Sequence, residues 1–277
     1  MAQSAAAEVN QLRISDCRLR IEERLLGRAC GLMTYQLYQY KDTTALARDA
    51  AGRWLEQLRA RTGKTGGAPC TVALSGGRIT TTFFDAIVGQ SGPGGPGDLF
   101  ENVHFFWADE RCVPPTDPES NFALAQEHLF GPLKIPDTQI HRLRGEAPEA
   151  LALKIAVSEI SQFAPMSNGQ PVLDMIFLGM GENGHTASLF PEETEEQKNN
   201  PATYRAVTTV KPPPRRITLG YAAIAAAREV CVLISGAGKE EALKMSLPPD
   251  SSTPLGRVLT MRKQTTIYTD VVLGLVK

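Results

Sequence analysis

The stretch LDMIFLGMGENGHTASLFP, residues 173–191, decides the fold class. The apolar run over residues 173–178 suits a buried strand. It breaks into a loop at Gly179, Gly181 and Gly184, which then presents His185, Thr186 and Ser188. A glycine-rich loop at the carboxyl end of a buried strand is where open α/β sheets bind ligands. His185 is one of four histidines in the chain, and imidazole is the side chain whose ordinary pKa lies closest to neutrality. A lone histidine is more often a packed or surface residue, so the remaining loops decide its reading.

Outward from this stretch, strand and helix patterns alternate. Residues 34–40 read as a strand and 43–61 as a helix with Leu46, Ala50, Trp54 and Leu58 on one stripe. A strand at 71–74 runs into a helix over 79–88, and 103–107 is a further strand. Helices follow over 120–129 and 148–163. Beyond the histidine loop come a polar, acidic insertion at 192–200, a strand at 204–209, a KPPPRR turn, and strand-then-helix character over 217–227. A strand at 230–234, a helix at 239–245 and a strand at 266–269 complete the pattern. It predicts one Rossmann-like α/β domain over residues 33–277, with a mostly parallel, doubly wound sheet. Residues 1–32 read as an N-terminal extension, either an added helix carrying Ile21, Leu25, Leu26 and Cys30 or a loosely ordered leader, with Met33 a candidate natural start.

Composition excludes several classes. Twenty-nine Lys and Arg against 30 Asp and Glu give a net charge of −1, so no global field points to nucleic acid or a membrane surface. No apolar run approaches the ~20 residues that cross a bilayer. Five scattered cysteines show no CxxC or Cys/His metal spacing, which suits free thiols in a reducing cytoplasm and predicts no metal.

Four other loops carry phosphate-friendly groups. Ser75-Gly76-Gly77 follows a strand and opens a helix, where backbone amides and the helix dipole favour an anion, and Arg78 adds a cation. Asp109-Glu110-Arg111 reads as a loop able to orient hydroxyls and hold an anion. Ser120 and Asn121 then read as the cap of the next helix, with Asn121 also able to steady the loop. Lys211, Arg215 and Arg216 surround a proline-stiffened turn, and Lys239 follows Gly236-Ala237-Gly238.

LSGGRIT, WADERCVPPTDPESNF, GMGENGHTASLFP, KPPPRRITL and GAGK, in that order, resemble the 6-phosphogluconolactonase family from about Met33 onward. The related glucosamine-6-phosphate deaminases share the Gly-His core, but their pattern continues Ile-Ala-Phe-Asn-Glu where this chain has Thr186-Ala187-Ser188-Leu189-Phe190. The resemblance implies hydrolysis of 6-phospho-D-glucono-1,5-lactone to 6-phosphogluconate, without metal or organic cofactor. It gives a cytoplasmic enzyme, monomeric or weakly self-associating, whose partner is a small phosphosugar lactone.

Under that resemblance His185 acts as general base and later as proton donor to the ring oxygen, with amides around Gly181–Gly184 as oxyanion donors. The phosphate rests on Ser75, Gly76 and Gly77, surrounded by Arg78, Arg111, Lys211 and Arg216; Lys239 matches a family lysine, and Gly184 joins the substrate-binding set. Asp109 orients sugar hydroxyls or a cationic side chain. Two positions depart from the family pattern: Asn183 stands where Asp is usual, and Arg78-Ile79-Thr80 replaces Ser-Thr-Pro. A deaminase of the same fold, or a non-catalytic sugar-phosphate binder suggested by Asn183, are the competing readings.

Overall fold

The computed structural model describes residues 18–21, 35–61, 68–92 and 97–273. Their strands are β1 (Arg18–Ile21), β2 (Tyr35–Tyr40), β3 (Cys70–Leu74), β4 (Val103–Trp107), β5 (Asp109–Arg111), β6 (Met166–Ser167), β7 (Gln170–Pro171), β8 (Met175–Gly179), β9 (Tyr204–Thr208), β10 (Arg215–Leu219), β11 (Glu229–Ile234) and β12 (Thr265–Thr269). The main sheet runs β1-β2-β12-β11-β8-β3-β4. Six of its strands are parallel, and β1 lies antiparallel on the β2 edge.

Strands β3 and β8 are buried along almost their whole length. Continuous apolar runs of this kind belong to parallel strands covered on both faces. The helix Thr43–Arg61 buries Leu46, Ala50, Trp54 and Leu58 as its stripe predicts. Trp54 packs edge-on against Phe177 at 5.3 Å between ring centroids. The helix Arg78–Gln90 brings Phe83 to 4.7 Å from the same ring. Truncating an aromatic at such a junction costs about 3–5 kcal/mol.

This sheet order fixes the place of the site. From β3 the chain crosses to β4 on one side, and from β8 it crosses to β11 on the other, while β3 and β8 are neighbours. The loops leaving these two strands therefore diverge, and a crevice opens at their carboxyl ends. Those loops hold Ser75-Gly76-Gly77 and the His185 segment.

Three expectations are corrected. Asp109–Arg111, read as a loop, is strand β5: it pairs antiparallel with β10, placing Arg111 opposite Arg216, and β9 pairs on the far side of β10. A three-residue charged strand has no hydrophobic period of its own, and its register is set by a partner distant in sequence. Arg215 and Arg216, assigned to the KPPPRR turn, open β10. Residues 18–21, inside the stretch with helical spacing, form a strand, while Leu25, Leu26 and Cys30 lie outside the described residues.

The helix Pro254–Thr260 leaves no helical signal in the sequence because Pro254 and Gly256 signal a turn. Thr253 caps it by accepting from the Gly256 amide, and burial of Leu255, Val258 and Leu259 on one face outweighs the glycine.

Candidate active site

A cleft of about 330 Å3 opens at the carboxyl ends of β3 and β8. Ser75, Gly76, Gly77 and Arg78 reach it from the loop after β3, Asp109 and Arg111 from β5, and His185 from the loop after β8. Lys211 and Arg216 line it from β10 and its preceding turn, and Lys239 from the loop after β11. Gly184 does not line it. Its φ of +77° and the Thr253 side chain 3.0 Å from where a Cβ would stand show a backbone role in shaping the loop.

The histidine loop is closed by its own backbone. The Gly181 amide donates to the His185 carbonyl (2.9 Å), the Gly184 amide donates to the Gly181 carbonyl (3.0 Å), and Thr186 Oγ1 donates to the Gly179 carbonyl (2.8 Å). The amides of Gly181 and Gly184, expected as oxyanion donors, are thus already engaged. The imidazole lies directly on Gly181, where an added Cβ would stand 1.8 Å from His185 Cε1. Its Nδ1 is 2.5 Å from Asn183 Oδ1. An amide oxygen only accepts, so Nδ1 carries the proton and Nε2 keeps its lone pair. Nε2 has no hydrogen-bond partner among the described residues.

The Phe190 ring lies tilted beside the imidazole with centroids 5.0 Å apart, and the Arg216 guanidinium lies 5.8 Å from the same phenyl centroid. Burial, followed by the positive charges of Lys211, Arg216, Lys239 and Arg111, pushes the His185 pKa down to about 4. The imidazole is neutral at physiological pH.

The two glycines after β3 are needed for different reasons. Gly77 caps the helix Arg78–Gln90 at φ +117° with no side-chain cap among the described residues; the Thr80 amide donates to the Gly77 carbonyl (3.0 Å), and the first-turn amides ahead of it are the kind that suit an anion. Gly76 leaves room for Asn121, whose Oδ1 would stand 1.8 Å from a Cβ there. Beside them, Ser75 Oγ is buried with no partner among the described residues.

Asn121 also donates through Nδ2 to the Asp109 carbonyl (2.8 Å), so it steadies the loop, while Ser120 accepts from the Ala123 amide as the helix cap. Glu110, which the sequence reading gave no role of its own, organises this corner. Its carboxylate accepts from the amides of Arg111, Asn121 and Phe122 and from Ser120 Oγ. Burial raises its pKa to about 7 against those amide donors, which act to lower it. Asp109, 4% exposed, accepts from Ser188 Oγ at 2.7 Å and ties β5 to the histidine loop.

The cations are differently held. Arg216 is buried and donates to the carbonyls of Pro213 (3.2 Å) and Pro212 (3.4 Å), whereas Arg215 is exposed, so Arg216 is the inward-facing member. Burial and then the opposing Arg111 push the Arg216 pKa down. Arg111 donates to the Glu119 carbonyl (2.7 Å), and its Nε is buried without a partner among the described residues. Lys239 precedes the helix Glu240–Ser246 and is pushed down by burial and then by Arg78. Arg78 is exposed, 3.9 Å from Glu182 at the rim. Among the described residues the buried Arg216 and Lys239 form no ion pair with a carboxylate, whereas Arg111 pairs with Glu119 (3.4 Å); guanidinium and ammonium groups of this kind suit an anion. Among the described residues no group of three or more His, Cys, Asp or Glu side chains could hold a metal ion.

The sequence profile of the glucosamine-6-phosphate isomerases/6-phosphogluconolactonase family matches residues 41–268. A 6-phosphogluconolactonase of Haemophilus influenzae is 38% identical over 178 residues, covering 64% of this chain and 72% of its own length. That of Aggregatibacter actinomycetemcomitans is 39% identical over 178 residues, with the same two coverages, 64% and 72%. The crystal structure of a 6-phosphogluconolactonase from Thermotoga maritima superposes with a TM-score of 0.68 at 26% identity, covering 85% of this chain and 99% of that one.

Proposed function

The chain belongs to the glucosamine-6-phosphate isomerase/6-phosphogluconolactonase family, and from that premise we propose that it hydrolyses 6-phospho-D-glucono-1,5-lactone to 6-phosphogluconate in the oxidative pentose phosphate pathway. The relatives named 6-phosphogluconolactonase support this branch. Of the site itself, the observation that carries the reading is an imidazole with a free Nε2 in a cleft lined by five cations.

In this reading His185 Nε2 takes a proton from water as the water oxygen bonds to the lactone C1. The C1–O5 bond then breaks, and the imidazolium returns the proton to O5, leaving the open-chain acid, which ionises. Asn183 holds Nδ1–H and fixes the ring. The 6-phosphate rests on Ser75, Gly76 and Gly77 beside Arg78, Arg111, Lys211, Arg216 and Lys239. With the Gly181 and Gly184 amides engaged, the amides of Glu182 and Asn183 and the Arg216 guanidinium are the donors left for the developing oxyanion. Asp109 keeps the histidine loop in register through Ser188. No acid follows the Gly-His pair in GHTASLFP, which favours lactone hydrolysis over amino-sugar deamination. Cys70, Cys112 and Cys231 are free thiols, which suits a cytoplasmic setting. No described helix is long and apolar enough to cross a membrane.

The test is lactone hydrolysis by the wild type and His185→Ala below neutral pH. We expect a rate loss of about 10²–10⁴-fold with 6-phosphogluconate still bound. Unchanged turnover in the variant overturns the base assignment. Ammonia release from glucosamine 6-phosphate, abolished by the same substitution, would establish the deaminase instead. Hydrolysis no faster than the spontaneous background would leave a binding protein.

A further inference from the structure

The geometry points to Asn183 as a specificity-determining residue: we infer that, because His185 is partnered by a neutral amide, the substrate's own phosphate dianion supplies the negative charge that stabilises the imidazolium during hydrolysis. The inference rests on the lactonase reading above.

His185 Nδ1 meets Asn183 Oδ1 at 2.5 Å, and no carboxylate bonds to the imidazole among the described residues. The ring is enclosed by the tilted Phe190 ring, 5.0 Å away, and by the Gly181 backbone. The charges acting on it are cationic: Lys211 from the turn before β10, Arg216 from β10, Lys239 from the loop after β11 and Arg111 from β5. Two acids share the cleft. Asp109 Oδ2 accepts from Ser188 Oγ, and Glu182, on the histidine's own loop, faces Arg78 at the rim.

A base that takes a proton here adds a positive charge beside the four cations that act on the ring, a state the protein alone disfavours. A phosphate dianion among those same four cations reverses the balance. The phosphate therefore acts on the chemical step as well as on binding, so a lactone lacking it is penalised in kcat and not only in KM.

The experiment uses glucono-1,5-lactone, which has no phosphate, with and without inorganic phosphite dianion, on wild type and Asn183→Asp. We expect phosphite to accelerate the wild type about tenfold or more. Asn183→Asp should hydrolyse the lactone alone about tenfold faster than wild type and gain much less from phosphite. Equal phosphite activation in both proteins, or none in the wild type, overturns the inference. If the variant fails to fold, the wild-type activation alone decides. Should the wild type not hydrolyse 6-phosphogluconolactone at all, it is the lactonase reading that falls, which separates the two failures.

Discussion

His185 and His141 are both imidazoles pushed down to a pKa of about 4, yet their surroundings differ in kind. The His141 ring lies 4.6 Å from Phe106 and 4.5 Å from Phe163, with Nε2 2.9 Å from His104 Nδ1 and Nδ1 4.0 Å from Glu159. Burial and the neighbouring His104 keep it neutral, and both ring nitrogens face other side chains. In His185 burial is joined by four cations, Nδ1 is held by an amide, and Nε2 opens onto the cleft. A depressed imidazole is therefore not itself a functional mark. What separates the two is a free nitrogen facing a cavity whose remaining charges suit a substrate.

Truncating each ring should separate the two histidines most widely. His185→Ala should lose about 10²–10⁴-fold in lactone hydrolysis with little change in Tm. His141→Ala should keep activity within a few-fold and lose about 1–3 kcal/mol of stability in urea melts. If the two phenotypes exchanged places, the assignment of function to the cleft histidine would fail.

A subtler disturbance is Gly181→Ala. The added methyl overlaps the imidazole, so the ring must swing away from Asn183. Steady-state kinetics should record a fall of about 10²-fold in kcat, while the affinity for 6-phosphogluconate stays close to that of the wild type.

His141 should also show in the acid stability of the fold. The folded state keeps His141 neutral down to about pH 4, whereas its ordinary value is 6.5. Between those values the unfolded chain binds the extra proton, so stability is full above pH 6.5 and falls as pH drops toward 4. Allowing for solvent screening, the loss at this residue is about 1–2 kcal/mol. Denaturation at pH 7 and pH 5 should show a slope that His141→Phe reduces.

The smallest effect is spectroscopic. In an NMR titration, the His185 ring signal should midpoint near pH 4 in the free protein and move upward by about one unit when 6-phosphogluconate is added. His141 should hold its midpoint. A His185 midpoint indifferent to the ligand would mean that the phosphate sits too far away to compensate the cations.

Much of this was legible in the chain. The helix Thr43–Arg61 declares itself by its apolar stripe, and β3, β8 and β11 by runs that only a doubly covered sheet tolerates. Ten of the eleven residues read as site candidates line one cleft, because each follows a strand of the same parallel sheet or lies on the small sheet against it. Gly184 is the exception, since a glycine in a motif does not say whether it touches a ligand or bends a loop. Asp109–Arg111 could not be read as a strand from three charged residues, and neither Glu110's grip on the Asn121 helix nor Asn121's contact with Gly76 leaves a local pattern.

Local patterning along the chain settles the parallel α/β architecture, the order of the glycine-rich and basic loops, and the place of one histidine after a glycine-rich turn. All of these follow from local periodicity and backbone freedom, which act over a few residues. Which nitrogen of His185 is free, which of Arg215 and Arg216 turns inward, and that Asp109 is tied to Ser188 come from the folded chain. Those outcomes depend on pairings between segments far apart in the chain, where burial and charge, not local propensity, set the orientation of each side chain.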